Sequence, residues 1–179
     1  LQARNISKTY LDNEGDKKII ARDFSTLIKR RDRVGLIGKN GAGKTTLLRM
    51  LIGEEKPESG KVKIGVSVIP VYYDQKRESL DLNTSLWSTL CPGGGDTIDV
   101  GGRERHVVSY LRDFLFEEKQ ALSQVKTLSG GERNRLLLAR LFSRQHNLVV
   151  LDEPTNDLDV ETLELLEEVL SDYDGTIIL

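Results

Sequence analysis

Residues 38–45 read Gly38-Lys39-Asn40-Gly41-Ala42-Gly43-Lys44-Thr45 and match the pattern G-x-x-x-x-G-K-[ST] in full. Glycines let a backbone curl until several N–H groups point inward, which makes a cradle for phosphate oxygens. An apolar run, Val34–Gly38, leads into the loop, and a helical pattern from Gly43 to Ile52 leaves it. A helix N-terminus at this place adds partial positive charge. Lys44 then sets a full charge against the β- and γ-phosphates of a nucleotide, and the Thr45 hydroxyl is suited to Mg²⁺. The plainer reading is a glycine-rich strand-to-helix turn that carries a solvated lysine.

A second constellation lies about a hundred residues downstream. Leu148-Val149-Val150-Leu151 is wholly apolar and ends in Asp152-Glu153. If this strand lies beside the phosphate-loop strand, Asp152 reaches the Mg²⁺ shell. Glu153 then faces the γ-phosphate and polarises an attacking water. Alone, the segment reads equally well as a core strand emerging at a charged turn. The phosphate loop upstream favours the metal reading.

A third is Leu128-Ser129-Gly130-Gly131-Glu132. Ser129 followed three residues later by Glu132 spells a capping box, the ordinary start of a helix. Gly130-Gly131 also bares backbone N–H groups at that helix start, which makes a second anion site.

The elements that must position these groups follow from periodicity. Short apolar runs alternate with helical patterns, which predicts an α/β architecture. Strands are expected at Ile19–Ile28, Val34–Gly38, Lys61–Ile64, Ser67–Tyr72 and Leu148–Leu151, with Thr176–Leu179 reading as a further buried strand. The first helix should stop at Gly53. Thr97–Arg103 predicts a hairpin turning at Gly101-Gly102. Val107, Tyr110, Leu111, Phe114 and Leu115 recur at helical spacing. Helices are expected from Gly131 to about Ser143 and from Val160 to Leu170, the latter burying Leu163, Leu166 and Leu170. Residues 77–145 are thus mostly helical, inserted between ATP-binding stretches 1–76 and 146–179 of a single 1–179 domain.

Composition bounds the class. The 179 residues are 38% hydrophobic and 30% charged, as a soluble globular domain requires. A net charge of −2 gives no global field for nucleic acid or anionic lipid, though a local basic patch remains open. Cys91 is the one cysteine, so no internal disulfide forms, and no apolar run approaches a membrane span. A cytoplasmic protein without membrane insertion is expected. Because Thr176–Leu179 reads as core strand, the domain is expected to be truncated at its C-terminus.

These motifs, in this order, resemble those of the ATP-binding-cassette (ABC) ATPases. Leu128–Glu132 is similar to the family's signature, Leu158-Asp159 to its D-loop, and Gln75 to its Q-loop glutamine. Tyr10 stands where the family has an aromatic ring stacking on adenine. Glu153-Pro154-Thr155-Asn156-Asp157-Leu158-Asp159 and Gly130–Arg135 resemble the soluble ABC-F proteins, which carry two cassettes and no membrane domain. Arg105–Val107, with Tyr110–Phe116 and Asp157–Leu163, looks closest to the second cassette of one branch of that subfamily.

The resemblance implies a P-loop NTPase core with an antiparallel β subdomain and an inserted helical subdomain. It implies ATP and Mg²⁺ as cofactors. Catalysis would fall to Glu153, Gln75 and Lys44. Nucleotide would be held by Tyr10, Gly38, Asn40, Gly41, Ala42, Gly43, Lys44, Thr45, Thr46, Ser129, Gly130, Gly131 and Asp159, and metal by Thr45, Gln75 and Asp152. Two cassettes meet head to tail in the family, so Ser129, Gly130 and Gly131 would act on ATP held by a second cassette, normally of the same polypeptide. The family's switch histidine would lie beyond Leu179, so residues 1–179 alone are expected to hydrolyse ATP weakly or not at all. Ribosomes or RNA, DNA, and a membrane transporter are the targets the resemblance leaves open, in that order.

Other candidates read more simply. Lys29-Arg30-Arg31-Asp32-Arg33 is a solvated turn before it is an RNA contact. His106 and His146 are expected in solvated roles. Trp87, Tyr72 and Tyr73 are expected to pack.

Overall fold

A computed structural model describes residues 1–11, 17–73, 80–156 and 158–179. The chain forms two compact units, residues 1–72 with 147–152 and 174–179, and residues 73–146 with 153–173.

The first unit holds two sheets and a helix. β1 (Gln2–Leu11), β2 (Lys17–Leu27) and β4 (Ser59–Lys63) form an antiparallel sheet in the order β2-β1-β4. β1 is irregular. Asn5 takes a left-handed φ of 47° and the pairing register shifts on either side of Ile6. The buried residues of β1 are therefore Ala3 and Ile6, three apart rather than two. The second sheet runs β3 (Arg33–Val34), β9 (Thr176–Ile178), β8 (Leu148–Leu151), β5 (Pro70–Tyr73). β9 lies parallel to both β3 and β8. All four residues of β8 are buried, the reason its sequence is continuous rather than alternating.

Helix α1 (Lys44–Ile52) buries Leu47, Leu48, Met50, Leu51 and Ile52 in a core completed by Ala3, Ile6, Ala21, Ile28, Leu148, Val150 and Ile178. It stops as expected at Gly53, which is left-handed at φ 82° and returns its N–H toward the last turn.

Two strands are shorter than the apolar pattern suggests. The ladder of β3 ends at Val34, followed only by the Leu36 N–H donating to the Leu179 carbonyl at 2.6 Å, and Ile37 is fully exposed. Before β5, the Asn147 side chain takes the place of a neighbouring strand. Its Oδ1 accepts from the Ile69 N–H at 2.9 Å and its Nδ2 donates to the Ser67 carbonyl at 2.7 Å.

The second unit is mainly helical. It holds α2 (Leu86–Leu90), the hairpin β6 (Thr97–Val100) and β7 (Arg103–His106), α3 (Val107–Asp113), α4 (Gly130–Phe142) and α5 (Val160–Asp172), with single 3₁₀ turns at Glu118–Gln120 and Val125–Thr127. The hairpin turns through Gly101 and Gly102 at φ 61° and 83°, the pair of positive values that a two-residue turn of matching twist needs. The segment 153–173, grouped by sequence with the ATP-binding stretches, packs within this unit.

Three expectations change here. α3 ends at Asp113, so Phe114 is buried as its cap while Leu115 sits at φ 62° with half its surface exposed. α5 buries Thr162, Leu165 and Leu166, and leaves Leu163 and Leu170 only half-buried. His146 is half-buried rather than freely solvated, with its Nε2 buried. It stacks on Tyr173 with centroids 5.3 Å apart, leans on Phe142, and places Nδ1 2.7 Å from the Arg144 carbonyl.

Candidate nucleotide site

In the first unit the phosphate loop stands open, with residues 37–42 exposed and Gly43 to Thr46 half-buried. Gly43 starts α1 at φ 98° and supplies no side-chain cap, so the first turn's N–H groups face the loop without one. A Cβ at Gly43 would lie 2.7 Å from both Cδ1 and Cγ2 of Ile20, so the loop is pressed directly on β2. Two residues earlier on the same face of β2, the Lys18 ammonium lies 3.5 Å from where a Cβ of Gly41 would be. Lys44 folds back over the loop and donates from Nζ to the carbonyls of Gly38 at 3.0 Å and Lys39 at 3.3 Å. A bare helix start, an open glycine loop and a lysine above it fit a polyphosphate.

Asp152 ends β8 beside this loop. Its Oδ2 accepts from the Thr45 hydroxyl at 2.5 Å, across 107 residues of sequence. The two hard oxygens predicted for Mg²⁺ are therefore adjacent. Among the described residues no cluster of three or more His, Cys, Asp or Glu is placed to hold a metal. Sequence reasoning assigned Tyr72 to packing. The ring does pack against the core, and its hydroxyl also donates to the same Oδ2 at 2.8 Å, with the Arg49 guanidinium 5.7 Å from the ring centroid. Strand alternation carries a trace of this, since Tyr73 is fully buried and Tyr72 faces the other side.

Tyr10 lies across from Lys18 in the β1–β2 register and is 41% exposed. Its hydroxyl bonds the Glu55 carboxylate, and the Lys8 ammonium sits 5.1 Å from its ring centroid and 2.9 Å from Glu55. The Tyr10 hydrogen bond, then the Lys8 ammonium, holds the Glu55 carboxyl below its ordinary range, while the Glu55 carboxylate pushes the Tyr10 phenol up. Thr46 also hydrogen-bonds this phenol, so the expected base-stacking ring and the phosphate helix meet. Glu55 and Lys8 carry no motif, and nothing local in the sequence marks them.

In the second unit, Ser129 caps α4 as its spacing predicts. The Ser129 Oγ accepts from the Glu132 N–H at 3.2 Å, and Glu132 accepts the Ser129 N–H at 2.8 Å. That N–H, with the Ser129 and Gln120 side chains, holds the Glu132 carboxyl below its usual range. Ser129 and Gly130 remain exposed. The Ser129 hydroxyl accepts in the box, so its proton stays available to an acceptor. Asp159 caps α5 by accepting the Thr162 N–H at 2.8 Å, and hydrogen bonding from Thr162 keeps its carboxyl low. The structure brings Asp159 against Gly131, where a Cβ would overlap its Oδ2. Glu153 is exposed, takes a left-handed φ of 51°, and accepts from Asn156 Nδ2 at 2.8 Å. Gln75 lies outside the described residues.

A sequence model of the ABC transporter family matches residues 21–156, more than half of the chain. The chain belongs to the ABC transporter family. Among curated relatives, the cassette is 52% identical over 162 residues to the ATP-binding protein Uup of Haemophilus influenzae, covering 90% of the cassette and 25% of that protein. It is 51% identical to Uup of Escherichia coli with the same coverage. To the energy-dependent translational throttle protein EttA of Escherichia coli it is 42% identical over 175 residues, 98% of the cassette and 30% of that protein. The cassette thus spans about a quarter to a third of the length of these relatives. The dimeric structure of MJ0796, a bacterial ABC transporter cassette, has the same fold with a TM-score of 0.70 at 23% identity, covering 99% of this cassette and 86% of that one. A post-hydrolysis state of MJ0796 bound to ADP and Pi superposes with a TM-score of 0.68 at 22% identity, with the same coverage. Among the described residues no helix is long and apolar enough to cross a membrane.

Proposed function

We propose that this cassette binds Mg-ATP on Gly38–Thr45 and hydrolyses it as one of two head-to-tail cassettes of an ABC-F protein, in the second, C-terminal position. The observation that carries the reading is the Thr45–Asp152 hydrogen bond, which joins phosphate loop and acidic strand at one point. Bound Mg²⁺ would supply charge neutralisation of the phosphates. Lys44 holds phosphate charge, Thr45 and Asp152 orient the cation's shell together with Gln75, and Glu153 polarises the attacking water. Tyr10 receives the adenine. Ser129, Gly130 and Gly131 complete the site of the opposite cassette. In this reading residues 1–76 and 146–179 serve as ATP-binding core, and 77–145 as the helical subdomain that nucleotide moves.

Nucleotide favours the paired state only as far as it binds that state more tightly, and loss of the γ-phosphate releases it. The cellular role is that of a cytoplasmic, ATP-switched factor working on ribosomes or translation. The 42% identity to a translational throttle protein supports this role. Glu153→Gln in the full-length protein tests both levels. It should bind ATP, stop multiple turnover and trap the ATP state together with its target. Ribosomal RNA in the trapped complex supports the translation role, while DNA or a membrane protein overturns it. Undiminished turnover overturns the assignment of Glu153.

A further inference from the structure

Asp152 carries one feature that its assigned role leaves unused. Its Oδ2 accepts two hydroxyl groups, Thr45 at 2.5 Å and Tyr72 at 2.8 Å, and neither occupies Oδ1. The two donors come from different elements, Thr45 from α1 and Tyr72 from β5, whose sheet neighbour β8 leads into Asp152. Tyr72 is itself fixed. Its ring is half-buried in the core that α1 covers, with the Arg49 guanidinium against it. A carboxylate gripped at one oxygen by two positioned hydroxyls cannot rotate without breaking both bonds, and such charge-assisted bonds are the stronger kind.

We propose that Tyr72 is a positioning residue for the metal carboxylate: with Thr45 it fixes Oδ2 of Asp152 and so presents Oδ1 to the hydration shell of the nucleotide-bound cation. This rests on the reading of Asp152 as the Mg²⁺ carboxylate. A hydroxyl that ligates a cation through a lone pair still has its proton to donate, so Thr45 can hold Asp152 and face the cation together, and Tyr72 adds a second donor that has no part in ligation. Tyr72 also stands three residues before Gln75 in the chain, so the strand that holds the carboxylate is the one that leads into the predicted γ-phosphate sensor.

The test uses the full-length protein, Mn²⁺ as the cation probe followed by electron paramagnetic resonance, and a fluorescent ATP analogue for metal-free binding in EDTA. Tyr72→Phe should weaken Mn²⁺ in the nucleotide complex by about tenfold, the order expected for one hydrogen bond to a charged group. Metal-free nucleotide affinity should stay within about twofold. In an Asp152→Asn background, the same Tyr72→Phe change should have little further effect, because its target carboxylate is gone. Unchanged Mn²⁺ affinity in Tyr72→Phe overturns the proposal. So does an equal loss in the Asp152→Asn background, or an equal loss of metal-free binding, which would make Tyr72 a support of the fold. A wild-type protein that binds nucleotide but shows no dependence on Asp152 for Mn²⁺ overturns the metal reading of Asp152 itself, and this inference with it.

Discussion

The carboxylate of Asp159 occupies the space that a side chain at Gly131 would fill. Gly131 and Asp159, 28 residues apart in sequence, are therefore packed directly on each other. Glycine at 131 lies in the first turn of α4, where alanine would ordinarily favour the helix by about 1 kcal/mol. Gly131→Ala should instead destabilise the chain, because Asp159 must leave and α5 loses its cap, a cost of about 1 kcal/mol or more. In an Asp159→Ala background the sign should reverse, and Gly131→Ala should stabilise. Urea denaturation of the four variants reads this directly, and additive effects would show that the two residues do not share the space.

Gly43, which starts the phosphate helix, meets a comparable limit. Its φ of 98° strains any side chain, and its Cβ would meet Ile20 at 2.7 Å. Gly43→Ala should cost about 2 kcal/mol or more of stability. Ile20→Ala in combination should recover the steric part and leave the backbone part. Full recovery of stability in the double variant would show that the left-handed conformation carries no cost.

The Tyr10 ring sits on an exposed strand end, held by Glu55 and Lys8 rather than by the core. Tyr10→Ala should leave the melting temperature nearly unchanged and lower ATP affinity by about tenfold, since stacking on a base is worth about 1–3 kcal/mol. Glu55→Ala should produce a smaller loss in the same direction by releasing the ring. Isothermal titration with ATP checks both. Affinity unchanged in Tyr10→Ala removes Tyr10 from the nucleotide site.

Much of this architecture is legible in the sequence, for identifiable reasons. The phosphate loop with α1, the capping box of α4 and the apolar β8 each state their conformation locally, through glycine positions, a four-residue capping pattern and continuous burial. β1 is not legible, because the left-handed Asn5 shifts the spacing of Ala3 and Ile6 away from strict alternation. Helix α2 has five residues, too few for a periodicity to emerge. In α5 the leucines at 163, 166 and 170 suggest a face, but the buried face runs through Thr162 and Leu165, and a polar threonine hides it. In the site, motif positions can be named from the sequence alone, and the side chains that hold those residues cannot. Tyr72 reaches Asp152 across 80 residues and Glu55 reaches Tyr10 across 45, and no local pattern encodes such a meeting.

Glu153 holds a left-handed backbone at φ 51°, a conformation that costs a side-chain-bearing residue about 1–2 kcal/mol and is found at functional positions. Glu153→Gly should relieve that strain and raise stability by up to about 1 kcal/mol, while Glu153→Gln keeps the backbone and leaves stability unchanged. Both should abolish steady-state ATP hydrolysis in the full-length protein. Equal stability of the two variants would show that the Glu153 backbone carries no strain.

His146 gives the second unit an acid-sensitive joint. Its ring lies between Tyr173 and Phe142, and Nδ1 faces the Arg144 carbonyl at 2.7 Å, which favours the neutral ring with its proton on Nδ1. Nε2 is buried with no hydrogen-bond partner among the described residues. Protonation must place a charge there, so burial, partly offset by the Arg144 carbonyl, holds the pKa of the folded ring below the ordinary 6.5. As pH falls below 6.5 the unfolded chain takes up a proton on this residue before the folded chain does, and stability drops through that interval. The loss stops growing once the folded ring is protonated as well, and above 6.5 the contribution is fully present. His146→Phe keeps an aromatic ring between Tyr173 and Phe142 and has nothing to titrate. The wild-type chain should therefore lose stability more steeply than His146→Phe as pH falls below 6.5, with the two curves parallel above pH 7. Urea midpoints measured across that range decide it, and parallel curves throughout would show that His146 is as easily protonated in the folded chain as in the unfolded one.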